Sequence, residues 1–134
     1  MWEMCTHQPP FNERPHDENL ALDVCLGERP EIVEGTPQCL EKLMKKCWDA
    51  NPSKRPTAEE IFTMLKSWYT DVSQMNPTIY YSDFKAADNW RKASLLDDQN
   101  MLPIKYHPNA YYYSRNLKFS TLPKAINDPT TVNR

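Results

Sequence analysis

The sequence predicts an all-α chain, and three segments carry that prediction. Residues 36–48 and 57–69 each place apolar side chains at helical spacing on one face, and the proline-containing turn "NPSKRP" lies between them. A shorter segment upstream, "HDENLALDVCLGERP", has the same character.

In the first long segment Thr36 is placed to cap a helix, and Pro37 suits the first turn, where no amide proton is needed. Leu40, Leu43, Met44, Cys47 and Trp48 then recur at i, i+3, i+4, i+7 and i+8, a single broad apolar stripe. Glu41, Lys42, Lys45 and Lys46 take the opposite face. Asn51-Pro52 halts the helix, because the residue before proline is pushed out of the helical region. After Arg55-Pro56 the pattern restarts. Thr57 and Glu60 form a capping box, and Ile61, Met64, Leu65, Trp68 and Tyr69 repeat the stripe. The expectation is two antiparallel helices joined by a tight turn, with Trp48 and Trp68 as core anchors.

The upstream helix begins at His16 or Asp17, turns Leu20 and Val24 inward, leaves through Gly27 in a left-handed conformation and cannot pass Pro30. "MWEMC" reads as the end of a further helix. Residues 70–82 read as a polar linker and 83–99 as a weaker helix, with Phe84, Ala87, Trp90 or Arg91, and Leu95 loosely spaced. Residues 100–134 show no sustained period and are expected to be extended or disordered.

The totals narrow the classes. A chain of 134 residues can form one domain with a modest core. Its two glycines leave little room for a loop in which backbone must approach a phosphate closely. A net charge of −2 favours neither nucleic acid nor an acidic membrane surface. No apolar run approaches the roughly 20 residues that span a bilayer. "MWEMCTHQPP" lacks the basic start and apolar stretch of a signal peptide. Cys5, Cys25, Cys39 and Cys47 form no Cys-x-x-Cys pair and have no histidine at metal spacing. They read as buried reduced thiols of a cytoplasmic protein rather than as a disulfide or metal set.

Trp2-Glu3, Pro10-Phe11, Gly27-x-Arg29-Pro30, Cys47-Trp48 and Pro52-x-x-Arg55-Pro56 occur in that order. With this ordered set, residues 1–69 resemble the end of a eukaryotic protein kinase C-lobe, in particular that of the tyrosine-kinase and tyrosine-kinase-like group. The resemblance implies that "WE" closes the central helix and a "PF" loop follows. A short helix then ends in G-x-RP, the next ends in CW, and P-x-x-RP leads into the last. The segment would be a partial C-lobe, lacking the N-lobe and the catalytic loop. In the family, the arginine that Arg55 matches pairs with the glutamate of an Ala-Pro-Glu motif, a job suited to a planar guanidinium fork. No Ala-Pro-Glu occurs here, so Arg55 is expected to face solvent, a local carboxylate such as Glu3 or Asp49, or another molecule.

The same resemblance implies that a complete parent transfers phosphate from ATP, with magnesium, to protein serine, threonine or tyrosine. Such chemistry needs a glycine-rich lid, a strand lysine, a His-Arg-Asp aspartate and an Asp-Phe-Gly aspartate together. Gly27 and Gly35 make no lid, and none of His7, His16 and His107 is followed by Arg-Asp. Asp83-Phe84 continues with lysine and lies after the C-lobe helices. No catalytic, cofactor-binding or metal-binding residue is therefore assigned, and no cofactor is expected in this chain.

The expectation is a catalytically inactive fragment, from a truncated product or a partial gene model. The alternative is a non-catalytic interaction module. Its exposed C-lobe surface and tyrosine-rich tail would bind a protein partner or a full-length kinase. In "NAYYYSRNLKF" no basic groove accompanies the tyrosines, so the tail is expected to fold back or stay disordered rather than bind nucleic acid. "RKASL" makes Ser94 a candidate phosphorylation site, against the plainer reading of a solvated helix face.

Overall fold

The computed structural model describes residues 1–97, 106–116 and 119–127. Among them the chain forms α1 (Trp2–Thr6), α2 (Glu18–Cys25), α3 (Gln38–Cys47), a 3₁₀ turn at Pro52–Lys54, α4 (Ala58–Ser73) and α5 (Ile79–Asp97). No strand occurs among the described residues, so the all-α class expected from the sequence holds. The elements group into two compact units. One comprises Met1–Glu31, Trp48–Lys54 and Pro103–Arg134, and the other Ile32–Cys47 and Arg55–Leu102.

The second unit is organised by α3, α4 and α5. Cys39 and Leu43 of α3 and Trp68 of α4 form its buried cluster, and Leu40, Cys47, Ile61, Met64 and Phe84 pack against it. Leu43 and Met44 are almost wholly buried. The predicted stripes are right in kind and shifted in detail. On α3 the burial reaches back to Cys39, while Trp48 lies beyond the helix and is only half-buried. On α4, Leu65 and Tyr69 point outward, 42% and 75% exposed. The cause is α5, whose Tyr80 and Phe84 rings lie 5.8 and 6.0 Å from the Trp68 indole. They draw the buried face of α4 onto Ile61, Met64 and Trp68, the i, i+3, i+7 edge of the stripe.

The caps divide the same way. The capping box predicted for α4 is present: Thr57 Oγ1 accepts from the Glu60 amide at 3.2 Å, and the Glu60 carboxylate accepts from the Thr57 amide at 2.7 Å. Thr36 does not cap α3. Its hydroxyl donates to the Val33 carbonyl at 2.8 Å, and the carboxylate of Asp83 on α5 accepts the Cys39 amide at 3.0 Å instead.

The linker expected over residues 70–82 shrinks to 74–78, because α4 runs to Ser73 and α5 starts at Ile79. Thr78 is the reason. Its Oγ1 accepts from the Tyr81 amide at 3.2 Å, capping α5, and donates to Asp71 on α4 at 3.0 Å. The helix expected over 83–99 thus begins four residues early, and positions 98 and 99 lie outside the described residues. Gly35, at φ +80°, sits under Trp90 of α5 so closely that a Cβ there would overlap the indole.

In the first unit, Asp17 caps α2 by accepting the Asn19 and Leu20 amides at 3.0 and 3.1 Å. Leu20 is buried, and Gly27, at φ +104°, makes the left-handed exit. The four cysteines are free thiols, with Cys39 buried and the others half-buried. No described helix is long and apolar enough to cross a membrane.

Candidate functional site

The motif residues of the first unit are joined by hydrogen bonds to backbone carbonyls. Arg29 is the centre. Its Nε and Nη2 donate to the Trp48 carbonyl at 3.2 and 3.0 Å, and its Nη1 donates to the carbonyls of Val24 and Glu28 at 2.8 and 2.7 Å. A rigid planar fork with five donors can hold several carbonyls at once in fixed directions. Gly27 turns the chain so that Arg29 reaches back over the end of α2, and Pro30 follows it. Trp2 donates its indole N–H to the Glu31 carbonyl at 2.7 Å, just past that proline. Glu3 is exposed, and its carbonyl accepts the His7 amide at 2.9 Å to close α1.

The Pro10-Phe11 loop is held from the tail. Phe11 adopts φ +55°, and its carbonyl lies 3.1 Å from His16 Nε2. With that nitrogen donating, His16 Nδ1 accepts the Tyr111 amide at 3.2 Å. The His107 amide donates to the Asn12 carbonyl at 2.7 Å, and the His16 amide to the Asn109 carbonyl at 2.9 Å. Tyr112 meets the His16 ring edge-on at 4.9 Å, with its hydroxyl 3.5 Å from the Pro10 carbonyl. Arg115 donates to the His16 carbonyl and lies 4.7 Å above the Tyr111 ring. Further along, the Ile126 amide donates to the Cys25 carbonyl at 2.9 Å, and Asn127 Oδ1 accepts the Ala50 amide at 2.6 Å. The described tail residues, 106–116 and 119–127, thus run along the loop and α2 without forming helix or strand. The other tail positions lie outside the described residues.

Of the remaining motif residues, Pro52 opens the 3₁₀ turn, and Cys47 packs half-buried against the helical cluster of its own unit. Pro56 is half-buried before the Thr57 cap. Arg55 is exposed and is not without a partner. Ser94 is half-buried on α5.

Burial first, and the Asp83 charge second, push the Cys39 thiol up to about 11, and burial likewise raises Cys5 and Cys47. None is poised as a thiolate nucleophile. The described residues bring no three His, Cys, Asp or Glu side chains together in a group suited to a metal ion. An open groove of about 470 Å³ is lined by His16, Asp17, Glu18, Tyr111, Arg115 and Phe119, among others. Charges of both signs face it, so it selects no ligand by charge. The sequence contains neither a glycine-rich phosphate lid nor an Asp-Phe-Gly aspartate.

Sequence reasoning missed His16, Tyr112, Arg115 and Asp83 as positioning residues. His16 stood out only as one possible start of α2, and nothing local to Asp83 marks it as the cap of a helix 44 residues earlier.

A short helix pinned at its exit by an arginine, a proline turn and two packed helices are the pieces of the lobe base that the motifs outlined. The model of the family described as protein tyrosine and serine/threonine kinase matches residues 1–65. Over 100 residues, 74% of this chain, the sequence is 31% identical to the dual specificity protein kinase shkC of Dictyostelium discoideum. Over 66 residues, 48% of the chain, it is 35% identical to mitogen-activated protein kinase kinase kinase 7 of Homo sapiens. The chain spans 18% of the first relative's length and 11% of the second's. No solved structure matches it. Residues 1–65 are a fragment of a protein kinase domain.

Proposed function

We propose that the complete protein transfers phosphate from ATP to serine, threonine or tyrosine of protein substrates in the cytoplasm, as a member of the tyrosine-kinase and tyrosine-kinase-like group. The 134-residue chain itself contributes the base of the C-lobe and catalyses nothing. One observation carries this reading: the ordered motifs from Trp2 to Pro56 fall within the family match, while no lid, strand lysine, His-Arg-Asp or Asp-Phe-Gly accompanies them. Those parts supply the positioning and electrostatic stabilisation on which phosphoryl transfer depends. The purified chain, incubated with ATP, magnesium and a generic protein substrate, is expected to show no transfer above a blank. Transfer above the blank overturns the inactivity. Transcript sequence upstream of the Met1 codon is expected to continue into a kinase catalytic loop, and an in-frame stop directly upstream counts against the parent reading.

A second reading, an interaction module, is favoured by the outer face of α4. Phe62, Leu65, Tyr69 and Val72 line it at helical spacing, and Phe62 and Tyr69 are 64% and 75% exposed. An evolved module runs as a single monodisperse species in size exclusion and captures one partner stoichiometrically. An orphan fragment self-associates and captures many proteins weakly.

A further inference from the structure

The basic cluster on α5 lies outside residues 1–65, and the serine that follows it stands on the helix's docking face. Asp83, Ala87, Trp90 and Ser94 recur at i, i+4, i+7 and i+11, so they share one side of α5. That side supplies the Asp83 cap to α3 and the Trp90 cover over Gly35. Ser94 is half-buried there, one turn past Trp90. Arg91 and Lys92 lie around the helix from it, 69% and 64% exposed at the side chain, and both pair with Asp88, at 2.9 and 2.6 Å.

We propose that Ser94 is a phosphate acceptor for a separate basophilic serine/threonine kinase, and that the phosphate loosens α5 from α3. The modifying kinase reads the exposed Arg91 and Lys92 as positive charge ahead of the acceptor. The γ-phosphoryl of ATP passes to Ser94 Oγ: the bond to the ADP oxygen breaks, the Oγ–P bond forms, and the hydroxyl proton leaves to the modifying kinase's base. Ser94 is half-buried rather than buried, so a local opening of α5 at that turn is enough for access.

Once added, the phosphate brings about −1.5 to −2 charges to the α5 face that carries Asp83 and Trp90, beside the carboxylate-paired Arg91 and Lys92. Arg91 and Lys92 can answer it only by leaving Asp88. The charge also falls beside the Trp90 face, which then loses apolar contact with Gly35. This does not rest on the chain having any activity of its own.

The test incubates the full chain with ATP, magnesium and the catalytic subunit of cyclic-AMP-dependent protein kinase, followed by peptide mapping. One phosphate at Ser94 is expected, absent in Ser94→Ala and at least about tenfold slower in an Arg91→Ala, Lys92→Ala double variant, whose positive charge is gone. Amides of α5 and the Cys39 amide are expected to exchange about tenfold faster in the phosphorylated chain. Circular dichroism of the two variants, with helicity equal to the parent's, shows that lost phosphorylation is not lost folding. Phosphate found only at other residues, or an unmodified chain, overturns the acceptor assignment. Full modification with unchanged exchange overturns the loosening.

Discussion

In the unit containing α3, α4 and α5, contact between apolar side chains holds the helices, with Trp68 at the centre of the cluster. In the unit containing α1, α2 and the tail, Leu20 is the only buried apolar side chain among the described residues, and loops and tail are tied by donors reaching backbone carbonyls. The difference lies in the kind of information each unit needs. An apolar core asks for volume on the right face and tolerates shifts of a position. A carbonyl network asks for particular donors at particular points, and Arg29 or His16 has no equivalent among other side chains.

That contrast can be broken by substitution. Trp68→Ala is expected to have the largest effect, roughly 3–5 kcal/mol in urea unfolding, because a large buried side chain leaves a cavity between α3, α4 and α5. Arg29→Met keeps the stem and removes the fork, and is expected to cost roughly 1.5–3 kcal/mol, since hydrogen bonds from a charged donor are lost to the carbonyls of Val24 and Trp48. If Arg29→Met unfolds the chain more than Trp68→Ala does, the ranking of apolar over polar support is wrong. Gly35→Ala sharpens the other side. Both the positive φ and the Trp90 overlap oppose a methyl, so a loss of roughly 1–3 kcal/mol is expected, and Trp90→Ala should relieve much of it.

The smallest effect is at the α4 cap. Thr57→Ala is expected to cost about 1 kcal/mol. Its partner adds a pH signature. The Thr57 amide and hydroxyl hold the Glu60 carboxyl below its ordinary value of 4.5. A group whose folded value is lowered binds fewer protons folded than unfolded. Its contribution is therefore complete above the ordinary value and fades as pH falls through the lower one. Glu60→Gln can keep the reciprocal hydrogen bond without titrating, so its unfolding free energy should lose that part of the acid dependence. Parallel pH profiles for the two proteins would remove Glu60 as a source of acid sensitivity.

The site divided along the same line as the fold. The ordered motifs were legible because each is a local stop, turn or cap: Gly27 needs its positive φ, Pro30 and Pro52 interrupt helices, and Thr57 with Glu60 caps one. What holds the motifs was not legible. The partners of Arg29 include a carbonyl 19 residues away, and those of His16 lie up to 99 residues away in a tail with no period of its own. The shortened 74–78 connection was readable in principle, since Thr78 after Asn76-Pro77 is a capping signature, although the proline there reads first as a linker.

The helical class, the family of residues 1–65 and the α4 cap follow from the sequence alone, because helix periodicity, capping and proline stops act over a few residues. Which edge of each stripe is buried, what caps α3, and where the tail lies were decided only in three dimensions. Asp83 and Trp90 become meaningful once α5 packs on α3 and α4, since a hydrogen bond or a ring contact depends on distance in space and leaves no mark at either end of the chain segment that makes it.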